Sequence, residues 1–171
     1  PAVLPPRDAN FGRDWIRDRE FTLSAWDATK FYSQYSQSGF NAVLGGGPEA
    51  IAAGLEDHYL GGFAQLNNTS RTEVHIALNQ GVSAFMLKDE IPPGDIAGIG
   101  DVAEYIRSLS PDAFLIAGLG SSNPSYIDDI VNTIQPEAVV HAFYPFQGTS
   151  SATDDWFPAL SNTALVRERT L

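Results

Sequence analysis

The feature that most constrains the fold is a repeat of short apolar runs, each followed by a stretch with helical character. The runs have the length of β-strands and occupy residues 21–26, 40–44, 60–66, 82–87, 113–119 and 138–144. After the fourth run, apolar residues spaced three or four apart from Ile96 to Leu109 predict an amphipathic helix that covers a sheet. A similar stripe from Tyr126 to Ile134 follows the fifth run. The pattern therefore predicts alternating strands and helices.

The spacing of the runs predicts a parallel sheet. Successive runs begin about 20 to 30 residues apart, which is the length that a strand and its crossover helix require. Consecutive apolar residues such as Val139 and Val140 are typical of strands covered on both faces. We predict an α/β fold, a parallel TIM-like (β/α) barrel that is incomplete and has about six strand-helix units. Residues 1–20, rich in proline and charge, are predicted to be an N-terminal arm, and residues 21–171 a partial barrel domain.

Charge and composition exclude several classes of function. The formal net charge is -11, and the one basic cluster is interleaved with acidic residues, so neither nucleic acid nor an anionic membrane surface is a predicted partner. No apolar run approaches the roughly 20 residues of a membrane span. The chain has no cysteine, which excludes disulfides, thiolate metal sites and cysteine nucleophiles. His58 and His75 fall in predicted helices and His141 in a predicted strand, without metal-site spacing, so no metal and no cofactor are predicted.

Two weaker signals bear on processing. Asn67 and Asn68 begin overlapping N-x-S/T sequons, which favour an extracellular or secreted protein. The sequence starts at Pro1 without an initiator methionine, and we interpret it as a processed or trimmed product.

The residues at the end of the fourth run are the strongest candidates for catalysis or ligand binding. In parallel α/β folds, binding groups collect at the carboxyl ends of the strands, and here these are Lys88, Asp89 and Glu90. A glutamate partly desolvated in a cleft is suited to donate a proton, and the neighbouring aspartate to bind a substrate hydroxyl. The alternative is that the acidic pair caps the next helix. Trp26 and Tyr144 end other runs and either stack on a sugar ring or pack in the core.

Two glycine-rich segments offer a different chemistry. Residues 45–47 and 118–122 follow the second and fifth runs and would present backbone N–H groups to a phosphate. Neither segment carries the dinucleotide fingerprint or a P-loop lysine, and tight turns between strand and helix explain both without a ligand. A serine nucleophile of the G-x-S-x-G type is absent from the sequence.

Four segments in order resemble the barrel of retaining glycoside hydrolases of the (β/α)8 superfamily, particularly proteins related to family 42 β-galactosidases. They are residues 21–27 (FTLSAWD), 38–44 (SGFNAVL), 85–90 (FMLKDE) and 143–146 (FYPF), and the resemblance spans about residues 21–170. In such proteins a GFN segment opens the second strand, and the fourth strand ends in an acidic pair followed by proline. In this chain Ile91 takes the place of that proline.

The resemblance implies roles for individual residues. Glu90 would be the general acid/base, Asp89 a partner of a substrate hydroxyl, and Tyr144 would orient the nucleophile. Among the remaining strand-end acids, Asp27 is the one expected to approach Glu90. From their places at strand ends and from this resemblance together, the predicted substrate-binding residues are Trp26, Asp27, Asn67, Asp89 and Tyr144.

The resemblance also implies a missing part. The nucleophilic glutamate of these enzymes follows the seventh strand, so a nucleophile would be supplied from outside this chain, by a second polypeptide that completes the barrel or by a homo-oligomer. The predicted function is a glycoside hydrolase-like barrel acting on a carbohydrate. A non-catalytic carbohydrate-binding or structural barrel subunit is the alternative, and a phosphate-ligand-binding α/β protein is a further alternative.

Overall fold

The computed structural model of the protein describes residues 11–17, 24–26, 31–120 and 123–141. In these residues strands and helices alternate in the order α1 (Phe11–Arg17), β1 (Ser24–Trp26), α2 (Tyr32–Gln37), β2 (Ala42–Leu44), α3 (Gly47–Ala52), β3 (Glu56–Leu60), α4 (Asn68–Asn79), β4 (Ala84–Met86), α5 (Ile96–Leu109), β5 (Phe114–Leu119), α6 (Pro124–Ile134) and β6 (Ala138–His141). A short 3-10 turn, Pro93–Asp95, leads into α5.

The six strands form one sheet in chain order, and every neighbouring pair is parallel. Helices α4, α5 and α6 pack in one cluster with Phe85 and Leu115 and therefore lie on the same face of the sheet, as right-handed crossovers between sequential parallel strands require. This is the strand order of a (β/α) barrel, whereas a doubly wound sheet reverses its order at a switch point. The predicted fold class, α/β with the strands of an incomplete TIM-like barrel, is confirmed.

The main core lies between the sheet and helices α4, α5 and α6. On α5 the predicted apolar stripe is buried from Ile96 to Ile106, with Ile99, Val102 and Ile106 each at 0% exposure, whereas Leu109 at its end is 42% exposed. The sheet contributes Phe85 and Leu115, which are also at 0% exposure, to the same cluster. Burying each of these side chains stabilises the fold by about 1.5–3 kcal/mol. None of the helices in the described ranges is long and apolar enough to cross a lipid bilayer.

One predicted strand is wrong. Residues 60–66 were predicted as a strand, but β3 is Glu56–Leu60, and the residues after it form the loop to α4. His58, which was predicted to lie in a helix, is in this strand. The remaining predicted runs contain β1, β2, β4, β5 and β6, although residues 142–144 of the last run lie outside the described residues.

β3 is difficult to recognise from the sequence because polar residues occupy most of its positions. Glu56 accepts a hydrogen bond from the Ser83 hydroxyl at 2.8 Å. Asp57, only 5% exposed, accepts one from the Gly46 amide at 2.9 Å. Polar groups that keep their hydrogen bonds are tolerated in a sheet, whereas unpaired ones are costly. These contacts depend on the next strand and on the preceding loop, so the local sequence does not reveal them.

Helix α1 lies within the predicted arm, residues 1–20. Its Trp15 ring stacks on Phe114 at a centroid distance of 4.2 Å and meets His58 edge-on at 6.4 Å. Phe114 pairs with Ala84, and Ala84 pairs with His58, so all three residues share one face of the sheet. Helix α1 of the predicted arm is therefore in contact with the sheet through Trp15.

Candidate functional site

The carboxyl end of β4 departs from regular strand pairing. Up to Leu87 the ladder with β5 is regular, and an unbroken ladder would continue with a hydrogen bond from Asp89 N to Gly118 O. Instead, Ile91 N donates to Gly118 O, and Gly118 N donates to Lys88 O, each at 3.0 Å. The chain therefore contains extra residues between Leu87 and Ile91, and we call residues 88–90 the β4 bulge. Such bulges redirect side chains and are frequent next to active sites.

The β4 bulge fits against β5 only because residue 118 is glycine. A Cβ atom at Gly118 would lie 2.7 Å from Lys88 O, 2.8 Å from Glu90 N and 2.9 Å from Asp89 Cα. All three atoms belong to the backbone, so none can rotate away. The absence of a side chain at this position is thus a condition for the shape of the bulge.

Glu90 adopts a left-handed backbone conformation with φ at 46°. A residue other than glycine rarely adopts this conformation, which costs of order 1 kcal/mol and is found often at functional sites. Both Asp89 and Glu90 are exposed to solvent. The partial desolvation expected of a proton-donating Glu90 is therefore not observed, because the bulge carries the carboxylate outward.

Tyr126 on α6 holds the end of the bulge to the loop after β5. Its hydroxyl donates to Ile91 O at 2.6 Å and accepts a hydrogen bond from Gly120 N at 2.9 Å. Burial raises the pKa of Tyr126, and the Glu90 carboxylate raises it further, while the hydrogen bond from Gly120 opposes the shift. The Tyr126 side chain is 6% exposed, and its two hydrogen bonds connect the end of the β4 bulge to the loop after β5.

Lys88 is held by an ion pair across the loop to α5. Its Nζ lies 2.8 Å from Asp95 Oδ2, and the two side chains are 24% and 28% exposed. Asp95 occupies the N-cap position of α5, yet its side chain makes no cap hydrogen bond because it is directed to the ammonium. An ammonium group has three N–H donors, and the described residues supply this one acceptor.

The two glycine segments use their backbone amides within the protein. Gly46 N is bound by the Asp57 carboxylate, Gly118 N by a backbone carbonyl and Gly120 N by the Tyr126 hydroxyl. These three amides are therefore not available to cradle a phosphate. Residues 121 and 122 lie outside the described residues.

The predicted site residues are only partly brought together. Asp89 and Glu90 share the β4 bulge, whereas Asn67 caps α4, accepting a hydrogen bond from Ser70 N at 3.1 Å. Trp26 ends β1 at the same edge of the sheet. Asp27 and Tyr144 lie outside the described residues. Within the described ranges, no group of three or more histidine, aspartate or glutamate residues could hold a metal ion.

Sequence reasoning missed two residues of this edge, Tyr126 and Asp95. Tyr126 was assigned only to the apolar stripe of its helix, and Asp95 was given no role. A tyrosine in the first turn of a helix that follows a strand is a usable signal, because its hydroxyl requires a partner when buried. No feature of the sequence indicates that Lys88 forms an ion pair with Asp95, from which Pro92 and Pro93 separate it.

Comparisons with known proteins do not support the predicted family. No family model matches the sequence, and no curated protein matches it either. A solved structure that it resembles is described as an IMP dehydrogenase/GMP reductase-like protein from Corynebacterium glutamicum, with 11% sequence identity and a TM-score of 0.48. The match covers 81% of this chain and 44% of that protein, so the chain spans less than half of its length.

The predicted membership in the glycoside hydrolase superfamily is therefore wrong. No family model of these enzymes matches the sequence over residues 21–170 or elsewhere. Three predictions depended on this family and are overturned together with it. They are the hydrolase activity, the acid/base role of Glu90 in that activity, and carbohydrate binding. The predicted oligomer or partner chain and the secreted location stay predictions.

Proposed function

We propose that this protein binds a small phosphorylated ligand at the carboxyl edge of its sheet, between the β4 bulge and the first turn of α5. The observation that carries the proposal is Lys88, whose side chain is 24% exposed and pairs with Asp95 at the N-terminus of the longest described helix. Lys88 is the only lysine or arginine on the described loops that follow the strands.

The surroundings of Lys88 favour an anion with several oxygens. The first turn of a helix carries a partial positive charge, and its amides bind phosphate groups. At α5 the N-cap side chain of Asp95 does not occupy these amides, because it pairs with Lys88. A phosphate replacing the Asp95 carboxylate would meet both the ammonium and the helix N-terminus.

The acidic residues nearby weaken this attraction without removing it. Asp89 and Glu90 are exposed, so water and dissolved ions screen their charges. Asp95 is the stronger competitor because it contacts the ammonium directly at 2.8 Å. The proposal therefore makes opposite predictions for Lys88 and Asp95.

The test is calorimetric titration with inorganic phosphate and with ribose 5-phosphate. Lys88→Met should weaken binding about 10-fold or more, since a charge-assisted hydrogen bond contributes about 1.5–3 kcal/mol. Asp95→Asn should strengthen binding because it removes the competing carboxylate. The matched control is Arg71→Met, which removes one positive charge from a side chain that lies over the Tyr105 ring on the outer helices.

Two results would contradict the proposal. Equal affinity in the Lys88→Met and parent proteins would show that the ammonium does not bind the ligand. An equal loss of affinity in Arg71→Met would show that only net charge matters.

A further inference from the structure

A separate cavity opens beside the loop between β3 and α4, with a volume of about 170 Å³. Its walls include Phe63, Gln65 and Thr69, and the Glu73 side chain of α4. The loop that forms it is closely supported, since a Cβ atom on Gly98 of α5 would lie 2.2 Å from Ala64 O. Neither Lys88 nor the β4 bulge lines this cavity.

Glu73 brings a single negative charge to the cavity. Its Oε2 accepts a hydrogen bond from the Tyr59 hydroxyl at 3.2 Å, and the hydrogen bonds of the described residues leave Oε1 without a donor. Burial and then the Glu73 charge raise the pKa of Tyr59 to about 12, so the phenol stays neutral and remains a donor to the carboxylate. The cavity therefore contains a carboxylate with one oxygen fixed and the other available.

The other walls define the class of ligand. Phe63 is among the lining residues but only 3% exposed, so it contributes a small apolar part of the wall, while Gln65 and Thr69 provide oxygen acceptors. A metal ion requires more ligating side chains than this, and the described residues contain no suitable group of three. A guanidinium group binds best to both carboxylate oxygens at once, and the Tyr59 hydroxyl already takes one of the two lone pairs of Oε2. A compact ammonium group needs only Oε1.

We propose that this cavity is a binding site for a small organic ammonium ion, with Glu73 as its counter-ion and Phe63 against its carbon chain. The site is independent of the proposed phosphate site, because it uses different residues and the opposite charge. The net charge of -11 favours the approach of cations to the whole surface. The experiment must therefore separate this cavity from general attraction.

The test is a titration of the full chain with n-butylammonium chloride, followed by two-dimensional ¹H–¹⁵N NMR. Amide signals of residues 62–73 should shift and saturate, and 1-butanol, which has the same chain without the charge, should leave them unchanged. Glu73→Gln should weaken binding about fivefold or more, since it removes the charge and keeps the shape. Glu104→Gln, a matched loss of one negative charge on the exposed face of α5, should bind like the parent.

A second variant keeps the test valid if Glu73→Gln does not fold. Gly62 lines the cavity, is exposed, and has open space at its Cβ position, so Gly62→Leu should fold and obstruct the cavity. It too should weaken binding of n-butylammonium. The proposal is overturned if both variants bind like the parent, if Glu104→Gln loses as much affinity as Glu73→Gln, or if 1-butanol causes the same shifts.

Discussion

Replacing Gly118 by alanine should destabilise the protein and distort the β4 bulge. The added Cβ would lie within 3.0 Å of three backbone atoms of residues 88–90, distances that real side chains essentially never show. Relief requires that the backbone of the bulge move away from β5. The movement would stretch the two hydrogen bonds that Gly118 makes with Lys88 O and Ile91 N, both now 3.0 Å.

The expected loss follows from these contacts. Overpacking of a tightly packed site costs about 1–3 kcal/mol, and weakening two hydrogen bonds adds about 1 kcal/mol. We therefore expect Gly118→Ala to lower the free energy of unfolding by about 3 kcal/mol. For a chain of this length the melting temperature should fall by about 6–12 °C.

Urea unfolding followed by circular dichroism measures the effect, and Gly94→Ala is the control. A Cβ on Gly94 meets no atom within 4 Å, so this variant should stay within about 1 kcal/mol of the parent. In Gly118→Ala the phosphate affinity should fall as well, because Lys88 moves with the bulge. A Gly118→Ala protein as stable as Gly94→Ala would refute the reasoning, since it would show that the bulge adapts at no cost.

Two further predictions concern tyrosine hydroxyl groups. Tyr126→Phe removes the hydrogen bonds to Ile91 O and Gly120 N and should lower the free energy of unfolding in urea by about 1–3 kcal/mol. A change below about 0.5 kcal/mol would show that these two bonds do not stabilise the protein. Tyr59 has a folded-state pKa of about 12 against an ordinary 10.0, so its contribution to stability is complete below pH 10 and is lost as the pH rises to 12. Tyr59→Phe should therefore show a shallower loss of stability over this range, and an unchanged pH profile would contradict the shift.

The fold could be predicted from the sequence because its information is local and periodic. The stripe of α5 repeats every three or four residues, and the runs that contain β4 and β5 are apolar on both faces. β3 could not be recognised in the same way. Its Glu56 and Asp57 are acceptable in the sheet only because Ser83 and Gly46 supply hydrogen bonds from elsewhere in the chain.

The place of the candidate site could also be predicted, but its chemistry could not. Alternation of strands and helices locates Lys88, Asp89 and Glu90 at a carboxyl end. The direction of each side chain depends on the bulge, and the bulge depends on the lack of a side chain at Gly118, on the neighbouring strand. A short acidic segment therefore resembled a glycosidase motif although its carboxylates are exposed.

The bulge explains why the lysine, rather than the glutamate, is the residue on which function should be tested. Extra residues between Leu87 and Ile91 carry Asp89 and Glu90 into solvent, where an exposed carboxylate behaves like any other surface charge. The same bulge leaves Lys88 largely covered, with a carboxylate from the next helix as its partner. A partly covered charge with one replaceable partner responds to a competing anion, because exchange of Asp95 for that anion does not require desolvating the ammonium again.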